Sequence, residues 1–264
     1  MMMIQKKHKP VLLTHNYHMH TARCGHAIGT DRQYIEQSIQ AGYETVGFSD
    51  HTPYPFTNGY RSHTRMTCKQ LDDYVESVLR LQRTYRSDLR ILLGLEVEYY
   101  PEFFSEWKQL TAAYPFDYFL LGQHFVGNEY EGVYSGNETA DPDILHRYVD
   151  QTIEAMQTGI FLYLAHPDLI RYRDTDSELY EAEMRRLCEA AKAVSLPLEL
   201  NLLGIRDHRW YPNENFWRIV GEVGNDVVIG ADAHRPKDVY SIEAMETALR
   251  MIQQYKLNWK QNLL

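Results

Sequence analysis

The chain has little cysteine and nothing to pair it with. Cys24, Cys68 and Cys188 are odd in number, far apart and never in a Cys-x-x-Cys arrangement. That excludes a disulfide framework, argues against a thiolate zinc knot and favours a reducing compartment. No long apolar run follows Lys6, Lys7 and Lys9, so neither a signal peptide nor a transmembrane segment is expected, and the expected location is the cytoplasm with no membrane partner. Positive charge is also in short supply. With 27 Lys and Arg against 36 Asp and Glu, the net charge of -9 disfavours nucleic acid as a partner. No repeat, linker or low-complexity segment interrupts the chain, and residues 1–264 read as one domain. The sequence leaves the oligomeric state open. What it has in excess is histidine, 12 residues.

Seven short apolar runs, at 11–18, 44–49, 90–97, 117–124, 160–165, 197–201 and 226–231, read as strands. Helical patterns lie between most of them. Thr30 or Asp31 caps a helix that ends at Ala41 before Gly42, and Asp141-Pro142 opens another that runs to about Gln157. Further helices are expected over 67–86, 101–113, 176–193, 213–223 and 241–255. The alternation predicts an α/β fold with a parallel sheet and right-handed crossovers. A distorted seven-stranded (β/α)7 barrel, TIM-barrel-like, would place its functional residues at the C-terminal ends of the strands. Two long stretches, 52–65 and 127–140, read as loops over such a mouth.

Nearly every strand-like run ends in a residue able to hold a metal. His18 and His20 close the first run, and His51, Glu96, His124 and His166 follow later ones. Asp232 and His234 close the last. Side chains alternate faces along a strand, so His18 and His20 point the same way, as do Asp232 and His234. An isolated histidine is ordinarily a core or surface residue. His8, His63, His146 and His208 are read that way, as is His15, on the face opposite His18. Convergence of the others at strand ends implies a polynuclear site and hydrolytic chemistry. Imidazole with carboxylate suits zinc, iron or manganese. Glu96, inside its apolar run, is preferred as the ligand over Glu98, which lies nearer the mouth and is assigned to substrate. Cys24 reads as a small loop thiol.

With these motifs in view, the chain resembles the polymerase-and-histidinol-phosphatase (PHP) superfamily, and within it the histidinol-phosphate phosphatases. His18-Met19-His20-Thr21 with His26 matches the first motif, Gly47-Phe48-Ser49-Asp50-His51 the second and Gly94-Leu95-Glu96 the third. The stretch from Asp117 to His124, Ala165-His166-Pro167 and Gly230-Ala231-Asp232-Ala233-His234 match the rest. Arg65-Met66, Leu71-Asp72-Asp73-Tyr74, Glu199-Leu200-Asn201, Gly204-Ile205-Arg206 and Tyr211-Pro212 resemble the phosphatases in particular. The resemblance implies three divalent metal ions. His18, His20, Glu96 and Asp232 would hold the first, and His26, His51 and His234 the second. Glu96, His124 and His166 would hold the third, with Glu96 bridging.

The implied activity is hydrolysis of a small phosphate monoester, L-histidinol phosphate, to L-histidinol and phosphate in histidine biosynthesis. The nucleophile would be a hydroxide bridging two metals. Asp232 or His234 would deliver the leaving group's proton through water, so Glu96, Asp232 and His234 are the expected catalytic residues. A planar guanidinium suits phosphate, and Arg206 and Arg235, each following a strand, are the expected clamp. Arg171 and Arg173 are lesser candidates, while Glu98, Tyr99 and Asp168 would face the substrate's ammonium and imidazole. Gln123 before His124, Ala165 before His166 and Leu202-Leu203 depart from the family pattern without removing a ligand. They bear on substrate more than on chemistry. The nearest alternative is a phosphoesterase of the same superfamily acting on phosphotyrosine or a nucleotide. An amidohydrolase would need a bridging lysine, and no lysine closes a central strand. A non-catalytic metal binder would show gaps in the ligand set.

Overall fold

The computed structural model describes residues 13–56 and 58–264. Val11 and Leu12, which begin the first expected strand, and His8 lie outside the described residues. The chain divides into two compact units. The first comprises Met1–Glu96, Pro101–Phe119 and Gly230–Met245, the second Val97–Tyr100, Leu120–Ile229 and Glu246–Leu264.

In the first unit, β1 (His15–Asn16), β2 (Thr45–Phe48) and β3 (Arg90–Val97) pair in parallel, with His15 opposite Thr45 and Val46 opposite Ile91. All of β2 is buried, as is β3 beyond Arg90. Burial on both faces is why these strands read as apolar runs rather than as alternating patterns. Helix α1 (Asp31–Ala41) starts with a capping box between Thr30 and Gln33 and stops at Gly42, whose φ of 91° needs a residue without a Cβ. Helix α2 (Leu71–Tyr85) buries Leu71, Tyr74, Val75, Val78 and Leu81 along one stripe. It starts later than expected because Cys68–Gln70 forms a 3-10 turn in front of it. Helix α3 (Phe104–Thr111) is shorter than the expected 101–113. Gly47 and Gly94 make room for the Tyr118 ring, and a Cβ on either would lie under 3 Å from that ring or its hydroxyl. Tyr118 Oη in turn donates to the carbonyl of Tyr17, at 2.6 Å, just before His18.

The second unit carries the end of β4 (Tyr118–Leu121), a hairpin of β5 (Phe125–Val126) and β6 (Val133–Tyr134), then β7 (Tyr163–Leu164), β8 (Leu198–Asn201), β9 (Asp226–Gly230) and β10 (Asn258–Trp259). Leu121 pairs in parallel with Leu164, Leu164 with Leu198, and Asp226 with Asn258. Asp141 and Pro142 start α4 (Pro142–Gln157), and Ser177 caps α5 (Glu178–Ala193). Asn201 caps the short α6 (Leu202–Arg206), and Asn213 caps α7 (Glu214–Val223) with bonds to two backbone N–H groups. Helix α8 (Ile242–Tyr255) follows.

The parallel α/β class expected from the sequence is what the structure shows, with one correction. Among the described residues the parallel strands number eight, not seven. The additional strand is β10. It is two residues long and half of it is exposed, so it carries no apolar run to read. The expected loop at 127–140 also contributes β6 to a hairpin.

Candidate metal centre

Backbone hydrogen bonds beyond the strand ends fix the ligand-bearing segments of the first unit to one another. Asn16, fully buried, accepts the N–H groups of His18 and Ala231 through Oδ1 and donates to the His18 carbonyl. Two residues on, His20 N–H donates to the Ala233 carbonyl at 3.0 Å, so the His18–His20 segment runs beside the Asp232–His234 segment. Ser49 N–H donates to the Met19 carbonyl, Glu96 N–H to the carbonyls of Ser49 and Asp50, and Thr52 N–H to the Glu96 carbonyl. The segments that carry His18 and His20, His51, Glu96, and Asp232 and His234 are therefore bonded directly to one another in series. Trp107, buried, donates its indole N–H to Thr52 Oγ1 at 2.7 Å and pins the chain just after His51.

The side chains converge accordingly. His20 Nε2 lies 3.2 Å from His18 Nε2, 3.1 Å from Asp232 Oδ1 and 3.6 Å from Glu96 Oε2. His18 Nε2 is 3.6 Å from the same two carboxylate oxygens, and His51 Nδ1 is 3.0 Å from Glu96 Oε2. Further out, His26 Nε2 and His234 Nε2 face each other at 3.0 Å, and the His234 ring stacks on His20 with centroids 4.0 Å apart. His18, His20, Glu96 and Asp232 are buried, whereas His26 is exposed, so the group opens to solvent on the His26 side.

These separations test whether the residues suit a metal. Donors about 2.1 Å from one ion at tetrahedral angles stand about 3.4 Å from each other. The nitrogen and oxygen atoms here are 3.0 to 3.6 Å apart. His18 with His20 and Glu96, and His26 with His51 and His234, each bring one ligand atom per residue within 4.8 Å of the others. Imidazole and carboxylate together are the donor set of zinc, iron or manganese, so the residues fit.

Charge in the group is strongly coupled. Burial opposes a proton on His20, but the Asp232 and Asp50 carboxylates overcome it and hold its pKa well above the ordinary value. Burial likewise works against the Asp232 carboxylate, yet His18, His20 and His234 hold it well below the usual range. Burial, with the His20 charge beside it, pushes His234 well down and keeps a neutral imidazole, the form that ligates. Asp232 also adopts φ +46°, a left-handed conformation that a non-glycine residue holds at a cost and that recurs at functional sites.

In the second unit, the His124 and His166 rings lie 4.7 Å apart, centroid to centroid. His166 has φ +30°, and its N–H donates to Glu199 Oε2 at 3.0 Å; Asn201 Nδ2 donates to the same oxygen. Glu98 is buried, with its carboxylate 3.3 Å from His124 Nδ1 and accepting from Tyr100 Oη at 2.6 Å. Tyr99 donates its hydroxyl to Glu154. Arg206 lies 3.3 Å from Asp207, and Arg171 and Arg173 both pair with Glu138, while in the first unit Arg235 pairs with the buried Asp238.

Asp168 is buried, and its Oδ2 accepts from the Asn213 N–H at 2.6 Å and the Trp217 indole at 3.1 Å. Burial outweighs those donors and pushes its pKa from 3.8 up to about 7. An unfolded chain releases this proton near pH 4 while the folded one keeps it to about 7, so rising pH favours unfolding across that window. Asp168→Asn keeps an acceptor and removes the charge. Its stability relative to the native chain should climb between pH 5 and pH 7 and level off above, by on the order of a few kcal/mol in total. Urea midpoints of both proteins from pH 5 to pH 8 check this, and a constant difference would refute it.

Most of this chain, though not the Asp232–His234 segment, matches a known domain. Residues 16–202 match the family model for the PHP domain. The chain belongs to the PHP domain family. A protein of Deinococcus radiodurans named "Probable histidinol-phosphatase" is 29% identical over 232 residues, covering 84% of this chain and 86% of that one. The "Histidinol-phosphatase" of Bacillus subtilis is 35% identical over 115 residues, 41% of this chain and 43% of that one. Among solved structures, the histidinol phosphate phosphatase of Lactococcus lactis, determined with zinc, L-histidinol and phosphate, superposes with a TM-score of 0.71 at 17% identity, covering 93% of this chain and 95% of that one. That likeness shows that this PHP chain shares its parallel α/β fold.

Asp50 and Arg65 stand in the motifs that carry the family resemblance, but sequence reasoning gave neither a role. Asp50 stands directly before His51, and its contacts depend on Thr21 folding back to meet it. Arg65 is buried, donates to the Thr52 carbonyl at 3.1 Å and lies over the Tyr54 ring. Arginine in a stretch read as an open loop gave no signal of burial.

Proposed function

We propose that this PHP-domain chain is a metal-dependent phosphatase that hydrolyses L-histidinol phosphate to L-histidinol and phosphate. The observation that carries the reading is the buried convergence of His18, His20, Glu96 and Asp232 beside His26, His51 and His234. It occurs in a chain whose relatives bear the histidinol-phosphatase name. The metal set proposed is three divalent ions held by His18, His20, His26, His51, Glu96, His124, His166, Asp232 and His234. Zinc, the ion in the Lactococcus lactis structure, is the first candidate, with iron and manganese suited to the same donors. Bound metals supply a water acidified toward neutral pH and positive charge for the phosphoryl oxygens.

The chain's own residues do the rest in this reading. Glu96 holds His18, His20 and His51 in one arrangement through a single carboxylate. Asp232 or His234, 3.3 Å apart from Oδ1 to Nδ1, passes a proton taken from water to the leaving alkoxide. Arg235, next to His234, and Arg206 bind the phosphate as forked donors. Glu98 orients His124 through their 3.3 Å contact. No described helix is long and apolar enough to cross a membrane, and a cytoplasmic location suits a biosynthetic enzyme without disulfides.

The test is phosphate release from L-histidinol phosphate beside O-phosphotyrosine and a nucleotide monophosphate, with metal content measured on the same sample. A kcat/KM of about 10⁴ M⁻¹s⁻¹ or more for histidinol phosphate, about a hundredfold above the others, is the expected result. Slow, indiscriminate release from fully metallated protein would keep a phosphoesterase and overturn the substrate.

A further inference from the structure

We propose that Asp50 is a positioning residue of the metal centre, a buried carboxylate that orients His20 and locks it to the His51 backbone. The inference rests on the metal-ligand reading above but not on the substrate. Asp50 is fully buried, and among the described residues no Lys or Arg forms an ion pair with it. A carboxylate buried without such a partner is costly unless hydrogen bonds and a nearby positive group compensate it. The contacts of the Asp50 carboxylate all belong to ligand-bearing chain. Oδ1 accepts the His51 N–H at 2.8 Å and stands 3.5 Å from His20 Nδ1, and Oδ2 accepts the hydroxyl of Thr21, one residue beyond His20.

The two nitrogens of His20 thus have separate duties. Nδ1 faces Asp50, while Nε2 faces Asp232, Glu96 and His18 at 3.1 to 3.6 Å. A proton kept on Nδ1 by the carboxylate leaves the Nε2 lone pair directed at the metal, and the ring's partner makes it a better donor. The same carboxylate bridges Thr21 and the His51 backbone, so two separate ligand segments share one anchor. In Asp50→Asn the amide oxygen still accepts from His51 and the volume is kept, but the charge opposite His20 is gone.

The experiment uses the full chain, stripped and reloaded with zinc, and reads zinc affinity by competition with a chromophoric chelator. The expected result for Asp50→Asn is an affinity about 10- to 100-fold weaker. The metal-free variant should melt within a few degrees of the metal-free native chain, which separates positioning from a general loss of structure. Zinc affinity equal to the native chain's would overturn the proposal. If Asp50→Asn fails to fold, Thr21→Val decides. It keeps the carboxylate and removes one of its anchors, so a weaker affinity, by less than about tenfold, is expected, and no change would overturn the proposal. Zinc binding by native protein that leaves histidinol phosphate intact would overturn the substrate assignment alone.

Discussion

Glu96→Gln should lower kcat/KM for histidinol phosphate by about a thousandfold or more, close to 4 kcal/mol of transition-state stabilisation. The substitution keeps the side chain's length and volume. It replaces one oxygen by an NH2 that cannot bind a cation and removes the negative charge. The Oε2 atom lies 3.6 Å from both His18 and His20 and 3.0 Å from His51, so a single carboxylate serves every imidazole of the inner group. An amide there turns one ligand atom into a donor aimed at whatever cation the imidazoles hold. Zinc content should fall together with activity. Variants of a nearby carboxylate provide contrast. Glu98→Gln keeps an acceptor for Tyr100 and disturbs the His124 contact, one step removed from the inner group, so its loss should be smaller, on the order of tenfold. A Glu96→Gln protein that keeps its zinc and activity within tenfold of native would remove Glu96 from the ligand set.

Much of this site was legible in the sequence because ligands at strand ends leave two local signals that coincide. An apolar run stops, and a His, Glu or Asp stands at or just beyond the stop. The pattern named His18, His20, His51, Glu96, Asp232 and His234, and the structure brings those side chains together in the first unit. His26 was different. It sits past a short 3-10 turn at Ala22–Cys24, on no strand, and only the family resemblance pointed to it. Helix caps were equally legible where a side chain bonds its own first turn, as with Thr30, Asp141 and Asn213. Interactions decided between segments distant in sequence left no such mark. Asp50 meets Thr21 across 29 positions, and Asn16 meets Ala231 across 215. The strand Asn258–Trp259 exists because Asp226–Val227 offers it an edge, not because its own residues favour extension. The division into two compact units was invisible for a related reason. The chain passes between the units inside or beside ordered elements, at Glu96 to Val97 and Phe119 to Leu120, with no linker composition to announce it.

Removing the metals should destabilise the fold as well as silence it. Zinc that binds the native state and not the unfolded chain stabilises by mass action, about 4 kcal/mol when free zinc is a thousandfold above Kd. For a chain of 264 residues that corresponds to about 7 °C in thermal midpoint. The physical origin lies in the same distances that define the site. Nε2 of His26 and Nε2 of His234 stand 3.0 Å apart, close enough for one cation to engage both. Inside, despite burial, His18, His20 and His234 hold the Asp232 carboxylate well below its usual range, and Asp232 with Asp50 favours a proton on His20, which ties the group to pH. Dialysis against a chelator followed by thermal unfolding at pH 7, with and without added zinc, measures the difference. Recovery of both the midpoint and phosphate release at the same zinc occupancy would show that one set of residues supports fold and chemistry. A metal-free protein that melts with the loaded one, while activity alone returns, would mean that the cluster is rigid without its ions. The hydrogen bonds of Asn16, Ser49 and Thr52 would then hold the ligand segments unaided.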